Sequence, residues 1–446
     1  MRAPLIALAF CATAAAAQAQ TPSAAPAPQA PADETELSPY PELLETPLST
    51  EGDIAEDERL AAAAADTPEL QPWFAFKQRF EDRTGISFGG SYGILAQSYS
   101  DSLVDQDWAA GHKFTFNASA ALLNRGQPNA LHFDLTVEDR RPIFGSERAP
   151  LAAGVLAGSG VPTAATWGDF ELGVTQAYLR QTLAGGRFQY TIGKVFAPNF
   201  VNPYPFFDDN RQFLSLAFST SPTIAVPLRG AGAVAAVYPG TGSLYIKGGV
   251  FTANSSDTGW TVDDFFSRNE HFYFVEVGST SFARRPIPIH ARGPMDANNF
   301  HVTFWYRDPL EPRDSQDITR PQDEAYGVAF NINQMAGENI MWFVRGGLGT
   351  GGFAKVNLTV GMGYRPPDRQ ADLFGVGVGW SDPDDAQIPQ QLPFDLRDQG
   401  TLETFYRFAL TPNIALTPAY QLIVNPSLNP SEDALSVFSL RARLAF

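Results

Sequence analysis

The chain ends in ALSVFSLRARLAF, residues 434–446, and this stretch has two chemically different faces. Successive residues of a β-strand point to opposite sides of the sheet. One side therefore carries Phe438, Leu440 and Leu444, and the other side carries Arg441 and Arg443. In a soluble sandwich the apolar side would face a core, whereas in a transmembrane barrel it faces lipid and the arginines face an aqueous lumen. The rest of the chain distinguishes these two architectures.

Residues 1–19 have the features of a secretory signal peptide. Arg2 gives a positive start, an apolar stretch follows, and Ala-Gln-Ala at 17–19 is a small-residue cleavage site. The only cysteine, Cys11, lies within this signal, so the exported chain has no thiol for a disulfide, a metal or a nucleophile. Cleavage as a lipoprotein at Cys11 is the alternative, and Phe10 disfavours it because that position requires a small residue.

The composition argues against membrane helices and suits strands. Beyond the signal no run of 18 apolar residues occurs, which excludes a helical membrane protein. The aromatic content of 12% and the 38 glycines are typical of amphipathic strands joined by tight turns. Composition alone does not distinguish a barrel from two soluble β domains.

The negative charge is concentrated near the N-terminus. Residues 21–70 hold twelve acidic residues and a single base, Arg59, within a chain whose net charge is −17. This region is rich in Pro and Ala and has few large apolar residues to offset the entropy of ordering. We therefore predict that residues 20–71 form a disordered, acidic periplasmic leader, expected to act as a solvated spacer. Its charge argues against nucleic acid as a partner.

From residue 86 onward the hydrophobic pattern repeats every second residue in sixteen segments. They span residues 86–98, 112–123, 130–138, 172–182, 187–195, 230–239, 243–252, 271–278, 299–307, 325–335, 340–348, 355–365, 371–380, 401–410, 414–424 and 434–446. Most of these lengths are near the roughly 9–11 residues with which a tilted strand crosses a bilayer. The prediction is an all-β fold, a 16-stranded antiparallel transmembrane β-barrel of the outer membrane over residues 86–446.

The connections between the segments alternate in length. Those after even-numbered strands are short, and most of those after odd-numbered strands are long, which is the pattern of periplasmic turns and external loops. Residues 279–298 break this pattern, so either a neighbouring strand is longer than predicted or the chain makes a periplasmic excursion there. Before the first strand, residues 72–85 have aromatic residues at helical spacing and end at Gly85, which predicts a short amphipathic helix packed on the periplasmic end of the barrel.

Other motifs give weaker signals. The glycines at 347–352 match a dinucleotide-binding pattern, but strands lie on both sides, so we interpret them as a hairpin. Asp382, Asp384 and Asp385 present carboxylates for calcium, but a solvated loop without a bound ion is the favoured explanation. The five histidines do not pair at metal-binding spacing, and no nucleophile motif accompanies them. We expect no cofactor, no metal and no catalytic residue.

Polar residues on the predicted lumen faces and one long loop are the candidate binding groups. Residues 196–229 hold many phenylalanines and are too apolar to extend into water, so this loop is predicted to fold inward and narrow the pore. Aromatic faces beside charged groups suit sugars, although the aromatics can equally serve to anchor the loop to the wall. The pore-lining candidates are Asp208, Asp209 and Arg211 from the loop and Arg345, Glu403, Arg407 and Arg441 from the wall.

Several stretches resemble the carbohydrate-selective porins of the OprB family. They are residues 176–181 (QAYLRQ), 190–195 (YTIGKV), 206–210 (FFDDN), 326–330 (YGVAF), 403–407 (ETFYR), 416–422 (LTPAYQL), Asn425-Pro426 and the terminal Phe446. The resemblance covers roughly residues 72–446. It implies passive diffusion of small sugars through a 16-stranded outer-membrane barrel with charged residues at an eyelet. It also implies contact with outer-membrane lipid and recognition of the Phe446 strand by the barrel-assembly machinery.

Three other functions remain open from the sequence. A general diffusion porin would have the same barrel without a preference for sugars. An outer-membrane barrel enzyme would need a nucleophile beside a base, and the sequence offers no recognisable pair. A structural anchor would have a filled lumen without a wide polar face, which the many small and charged inward positions disfavour. The leader lies outside the family resemblance.

Overall fold

In the computed structural model, the described residues form a closed barrel of 16 antiparallel strands. The structure describes residues 40–64, 67–125, 127, 129–260, 262–282, 294–312, 322–388 and 392–446. Each strand pairs with its neighbours in sequence, and β1 closes the barrel by pairing with β16. The all-β, 16-stranded prediction is confirmed.

The strands are β1 Ile86–Tyr99, β2 Trp108–Leu123, β3 Leu131–Pro142, β4 Phe170–Leu183, β5 Phe188–Phe196, β6 Arg229–Val237, β7 Leu244–Thr252 and β8 His271–Phe282, followed by β9 Ala297–Arg307, β10 Ala325–Ala336, β11 Ile340–Gly349, β12 Ala354–Tyr364, β13 Leu373–Pro383, β14 Gln399–Ala409, β15 Ile414–Val424 and β16 Ala434–Ala445. The described helices are α1 Thr50–Ala63, α2 Gln71–Thr84, α3 Pro150–Leu156, α4 Leu216–Ser219 and α5 Asp264–Ser267. Short 3-10 turns lie at Pro68–Leu70, Ala197–Asn199 and Pro294–Asp296. Within the described residues no helix is long and apolar enough to cross a membrane.

The two faces of the strands differ as the alternation predicts. On β16, Phe438 is 63% exposed on the outside of the barrel, whereas Arg441 is 1% exposed inside it. On β12, Leu358 and Val360 are about half exposed, whereas Thr359 is buried in the lumen. The barrel therefore presents apolar side chains to its surroundings and encloses its polar ones, as a transmembrane barrel requires.

The two ends of the barrel carry different kinds of connection between strands. Those after even-numbered strands gather at what we call the turn end, and those after odd-numbered strands gather at the loop end. The exception predicted at residues 279–298 is explained in part by longer strands, because β8 continues to Phe282 and β9 begins at Ala297. Residues 283–293 lie outside the described residues.

Helix α2 confirms the prediction of a short helix before the barrel. It ends at Gly85, whose φ of 74° is a left-handed conformation that glycine adopts without strain. Trp73, Phe76 and Phe80 pack around Phe88 of β1 with ring centroids 5.5–6.4 Å apart. The aromatic face of the helix therefore packs on the first strand.

Residues 197–228, here called the pore loop, fold into the lumen as predicted. Phe206, Phe213 and Phe218 of the loop are fully buried against Phe343 and Phe405 of the wall. Ring centroids of Phe213 and Phe405 lie 5.0 Å apart in a T-shaped pair. The aromatic side chains thus join the loop to the wall, which is the anchoring role considered for them above.

The prediction of a disordered leader over residues 20–71 is wrong for residues 40–64, here called the lumen segment. It is also wrong for residues 67–71, which form the 3-10 turn Pro68–Leu70 and the start of α2. The lumen segment lies inside the barrel and includes helix α1, which is capped by the Ser49 hydroxyl accepting from the N–H of Gly52. Leu44 and Ile54 are buried, at 2% and 4% exposure. The physical reason is pairing of its acidic side chains with arginines of the barrel, described below. The predicted signal peptide, residues 1–19, and the first half of the predicted leader lie outside the described residues.

Candidate functional site within the barrel lumen

All seven predicted pore residues lie inside the lumen and are buried. Their exposures are 5% or less: Asp208, Asp209, Arg211, Arg345, Glu403, Arg407 and Arg441. The structure brings Asp209 of the loop into contact with Arg441, while Arg345 and Glu403 meet other parts of the pore loop. Their contacts divide them into groups that hold the loop and groups that face the path through the barrel.

Glu403 and Arg441 bind the main chain of the pore loop. Glu403 accepts hydrogen bonds from the N–H groups of Leu214 at 2.7 Å and Ser215 at 2.9 Å. The guanidinium of Arg441 donates to the carbonyl of Asp209 at 2.6 Å. Both side chains form hydrogen bonds with the main chain of the loop and so position it in the lumen.

Arg345 of β11 has the same role. Its guanidinium donates to the carbonyls of Phe218 at 3.1 Å and Thr220 at 2.9 Å, and to the side-chain oxygen of Asn202 at 2.8 Å. It also lies 3.8 Å from the ring centroid of Tyr204, which is a cation–π contact. Arg345 therefore anchors the pore loop through its main chain and one aromatic ring.

Asp209 and Asp208 organise the tip of the pore loop. One Asp209 oxygen lies 3.2 Å from the Lys113 ammonium of β2, and the other accepts from the N–H of Thr166 at 2.6 Å. Asp208 forms an ion pair with Arg211 three residues later. The tip is thereby fixed against β2 and against the loop that contains Thr166.

Arg211 and Arg443 surround two carboxylates of helix α1. Arg211 Nη2 lies 2.5 Å from Asp53 Oδ1 and 2.6 Å from Asp57 Oδ1. Arg443 binds both oxygens of Asp57, at 2.6 and 2.8 Å. Burial alone would raise the pKa of Asp57, but Arg211 and Arg443 outweigh it and lower this pKa to about 2. Asp57 is therefore held as a carboxylate between two guanidinium groups.

Arg180 of β4 forms a second attachment point for the lumen segment. Its guanidinium lies 3.3 Å from Glu42 and 2.7 Å from Glu45, and it also pairs with Glu51. Asp134 of the wall lies 3.1 Å away on the same guanidinium. Three of the four carboxylates around this arginine thus come from a region expected to be a solvated spacer.

Two cavities lie on either side of helix α1. The first is lined by Asp53 together with Lys113, Glu138, Arg140 and Arg229. Glu138 pairs with Arg140 and lies 3.1 Å from Arg229, so charges of both signs meet at this narrow place. This constriction lies between the pore loop and strands β2 and β3.

The second cavity reaches the turn end. It is lined by Asp57, Arg211, Arg407 and Arg443, and by the turn between β14 and β15. Arg407 donates to the carbonyl of Ala371 at 2.7 Å. Of the seven predicted residues, Arg211 and Arg407 are the two that line this cavity.

The sequence reasoning missed Lys113, Arg140, Arg180 and Arg229 as lumen groups. Arg140 lies two positions after Glu138, where the third strand was expected to end, but the strand continues to Pro142. Extending the alternation by two residues would have found it. Arg229 begins β6, one residue before the predicted start.

Two minor motifs are also explained. The glycines at 347–352 span the connection between β11 and β12, as predicted, and Gly351 has a φ of 77°. Asp384, considered for calcium, accepts hydrogen bonds at 3.2 Å from the N–H groups of Gly351 and Ala386. Within the described residues no group of three His, Cys, Asp or Glu side chains is arranged to hold a metal ion.

Comparisons with known proteins identify the family. The family model described as carbohydrate-selective porin, OprB family, matches residues 104–446 of this chain. Porin AaxA of Chlamydia pneumoniae is 23% identical over 299 residues, covering 66% of this chain. The chain spans 64% of the length of that relative.

A solved structure supports the same architecture. The OprB structure from Pseudomonas putida determined at high pH superposes with a TM-score of 0.64 and 13% sequence identity. The superposition covers 84% of this chain and 97% of the other, which establishes the shared fold. Together with the match of the family model to most of the barrel, the 16-stranded closed sheet leads to one conclusion: this chain belongs to the OprB family of carbohydrate-selective porins.

Proposed function

We propose that this protein is an outer-membrane channel for the passive diffusion of small sugars, selective at the constriction lined by Lys113, Glu138, Arg140 and Arg229. The observation that carries the proposal is the meeting of buried acidic and basic side chains beside an open cavity within the barrel. Sugar hydroxyls both donate and accept hydrogen bonds, so a wall with carboxylate and guanidinium groups satisfies them in either role. No chemical step is involved in transport of this kind.

Binding at the constriction must be weak for flux to continue. Each charge-assisted hydrogen bond contributes about 1.5–3 kcal/mol before the cost of immobilising the solute is subtracted. Two or three such bonds therefore give an affinity on the millimolar scale. A site of this strength favours entry of a sugar without trapping it.

We further propose the usual orientation for such a barrel. Both termini and the turn end face the periplasm, and the loop end faces outward. The apolar outer face contacts lipid, and the β16 strand ending at Phe446 is the segment that the barrel-assembly machinery recognises. The short connections after even-numbered strands support this orientation.

Liposome swelling with glucose, a disaccharide and an amino acid of similar size tests the proposal. The glucose rate should exceed the other two, and Arg140→Gln should lower the ratio of glucose to amino-acid flux. Arg148→Gln is the matched control, because Arg148 is 40% exposed in the loop after β3. Equal rates for solutes of equal size in every variant would indicate a general porin instead.

A further inference from the structure

We propose that Arg211 and Arg443 form a binding site for the carboxylate of an acidic sugar, and that helix α1 is a displaceable plug whose Asp57 occupies this site. This inference rests on the proposed channel function. It assigns a substrate class, sugar acids, and a role to the lumen segment.

The Asp57 carboxylate shows how such a solute would bind. Arg443 holds both of its oxygens, at 2.6 and 2.8 Å, in the paired geometry in which guanidinium binds carboxylate most strongly. Arg211 adds a contact of 2.6 Å to one of these oxygens. The carboxylate of a sugar acid has the same shape and charge, so it can take the place of Asp57 between the two arginines.

The surrounding cavity supplies partners for the rest of such a solute. Asn210, Thr411 and Thr417 line it beside the arginines, and each carries an amide or hydroxyl group that can bond sugar hydroxyls. Arg407 lines the same cavity and adds positive charge. The cavity thus combines an anion site with hydroxyl-binding groups, which matches a sugar that carries a carboxylate.

The forces that hold helix α1 allow it to leave. Within the lumen segment, Leu44 and Ile54 are buried and Leu43 and Leu48 are partly buried against the core. Five of its carboxylates pair with Arg180, Arg211 or Arg443. Ion pairs gain little net energy because each charge loses its hydration on burial. When the helix leaves, its carboxylates and the arginines regain water, so displacement leaves no buried charge unpaired.

Displacement would also open the path through the barrel. Asp53 lines the cavity at the constriction, and Asp57 lines the cavity at the turn end. Asn210 of the loop tip borders both cavities, and helix α1 contributes a carboxylate to each of them. Removing the helix therefore connects the constriction to the turn end.

The test uses full-length variants in planar bilayers and in liposomes, with gluconate and glucose as the probes. Asp57→Asn removes the occupant and leaves both arginines in place. It should raise single-channel conductance and raise the ratio of gluconate to glucose flux by about tenfold, the factor that one charge-assisted hydrogen bond supplies. Glu58→Gln is the matched control, because Glu58 is the acidic residue next to Asp57 and its side chain is 51% exposed. This variant should behave as the unmodified protein.

A double variant separates the plug from the binding site. Asp57→Asn with Arg443→Gln should keep the higher conductance but return the gluconate preference to the unmodified value. The inference is overturned if Asp57→Asn matches Glu58→Gln in conductance, or if the double variant keeps the preference for gluconate. If glucose enters through none of the variants while conductance still responds to them, the proposed sugar channel fails and the plug does not.

Discussion

The pore loop and the lumen segment both lie inside the barrel, but different forces hold them. The loop is anchored by fully buried rings such as Phe206, Phe213 and Phe218, and by wall side chains that bind its main chain. The lumen segment is held chiefly by ion pairs between its carboxylates and barrel arginines. Burying apolar side chains gives a large net stabilisation. The attraction within a buried ion pair is nearly cancelled by the cost of removing both charges from water. This difference is the basis for our proposal that the loop is the fixed constriction and the segment the movable part.

The largest effect is expected from removing an aromatic anchor of the loop. Phe213 is fully buried and packs on Phe218, Phe343 and Phe405. Phe213→Ala should lower the free energy of unfolding, or of docking the loop, by about 3–5 kcal/mol because it leaves a cavity. Urea titration would measure the change in the free energy of unfolding, and single-channel conductance would report weaker docking of the loop.

Phe266→Ala is the control for that experiment, since Phe266 is 83% exposed near the loop end. It should change stability by no more than about 0.5 kcal/mol, as surface substitutions usually do. If both alanine variants behave alike, aromatic packing does not anchor the loop and the comparison fails.

A smaller effect is expected from acid, and it should act on the lumen segment. The pKa of Asp57 is lowered from an ordinary value of 3.8 to about 2 in the docked helix, because Arg211 and Arg443 outweigh the effect of burial. Because the pKa is lower in the docked state, docking is stabilised by about 2 kcal/mol when the pH is above the ordinary pKa of the carboxyl. This stabilisation is lost as the pH falls from about 4 to about 2. Conductance should therefore rise over this range.

The Asp57→Asn variant isolates the contribution of this carboxylate. Its conductance should be high at neutral pH and should change less between pH 5 and pH 2.5 than that of the unmodified protein. A rise of equal size in both proteins would mean that another group controls the acid response.

Most of the fold could be predicted because its signal is local. Alternation along each strand predicted all sixteen strands, including the alanine-rich β6, since neighbouring residues decide which face is apolar. The inward pore loop was also predictable, because a phenylalanine-rich stretch does not remain in water. The ends of strands were less accurate, and Arg140 was missed for that reason.

The lumen segment could not be predicted because its partners are distant in sequence. Asp53 pairs with Arg211, 158 positions later in the chain. Read alone, its acidic and alanine-rich composition is typical of a solvated spacer, and its two buried apolar residues give too weak a signal for a core. The role of the predicted pore residues in binding a solute stays a prediction, and the geometry favours Arg211 and Arg407 over the loop-anchoring Arg345, Glu403 and Arg441.

A reversible disulfide tests most directly whether the lumen segment moves. The hydroxyls of Thr50 in helix α1 and Thr136 in β3 are 2.8 Å apart, so cysteines at these two positions place their thiols close together for oxidation. The sole native cysteine, Cys11, lies in the predicted signal peptide and does not interfere. The single variant Thr50→Cys is the control and should not respond to oxidation or reduction.

The measurement is the single-channel conductance of the full-length Thr50→Cys/Thr136→Cys variant before and after addition of dithiothreitol, with disulfide formation verified by mass spectrometry. A displaceable plug predicts small, steady currents in the oxidised protein and a several-fold increase on reduction, with open events resembling those of Asp57→Asn. Equal conductance in the oxidised and reduced states would contradict this account, because it would mean that helix α1 does not control the path through the barrel.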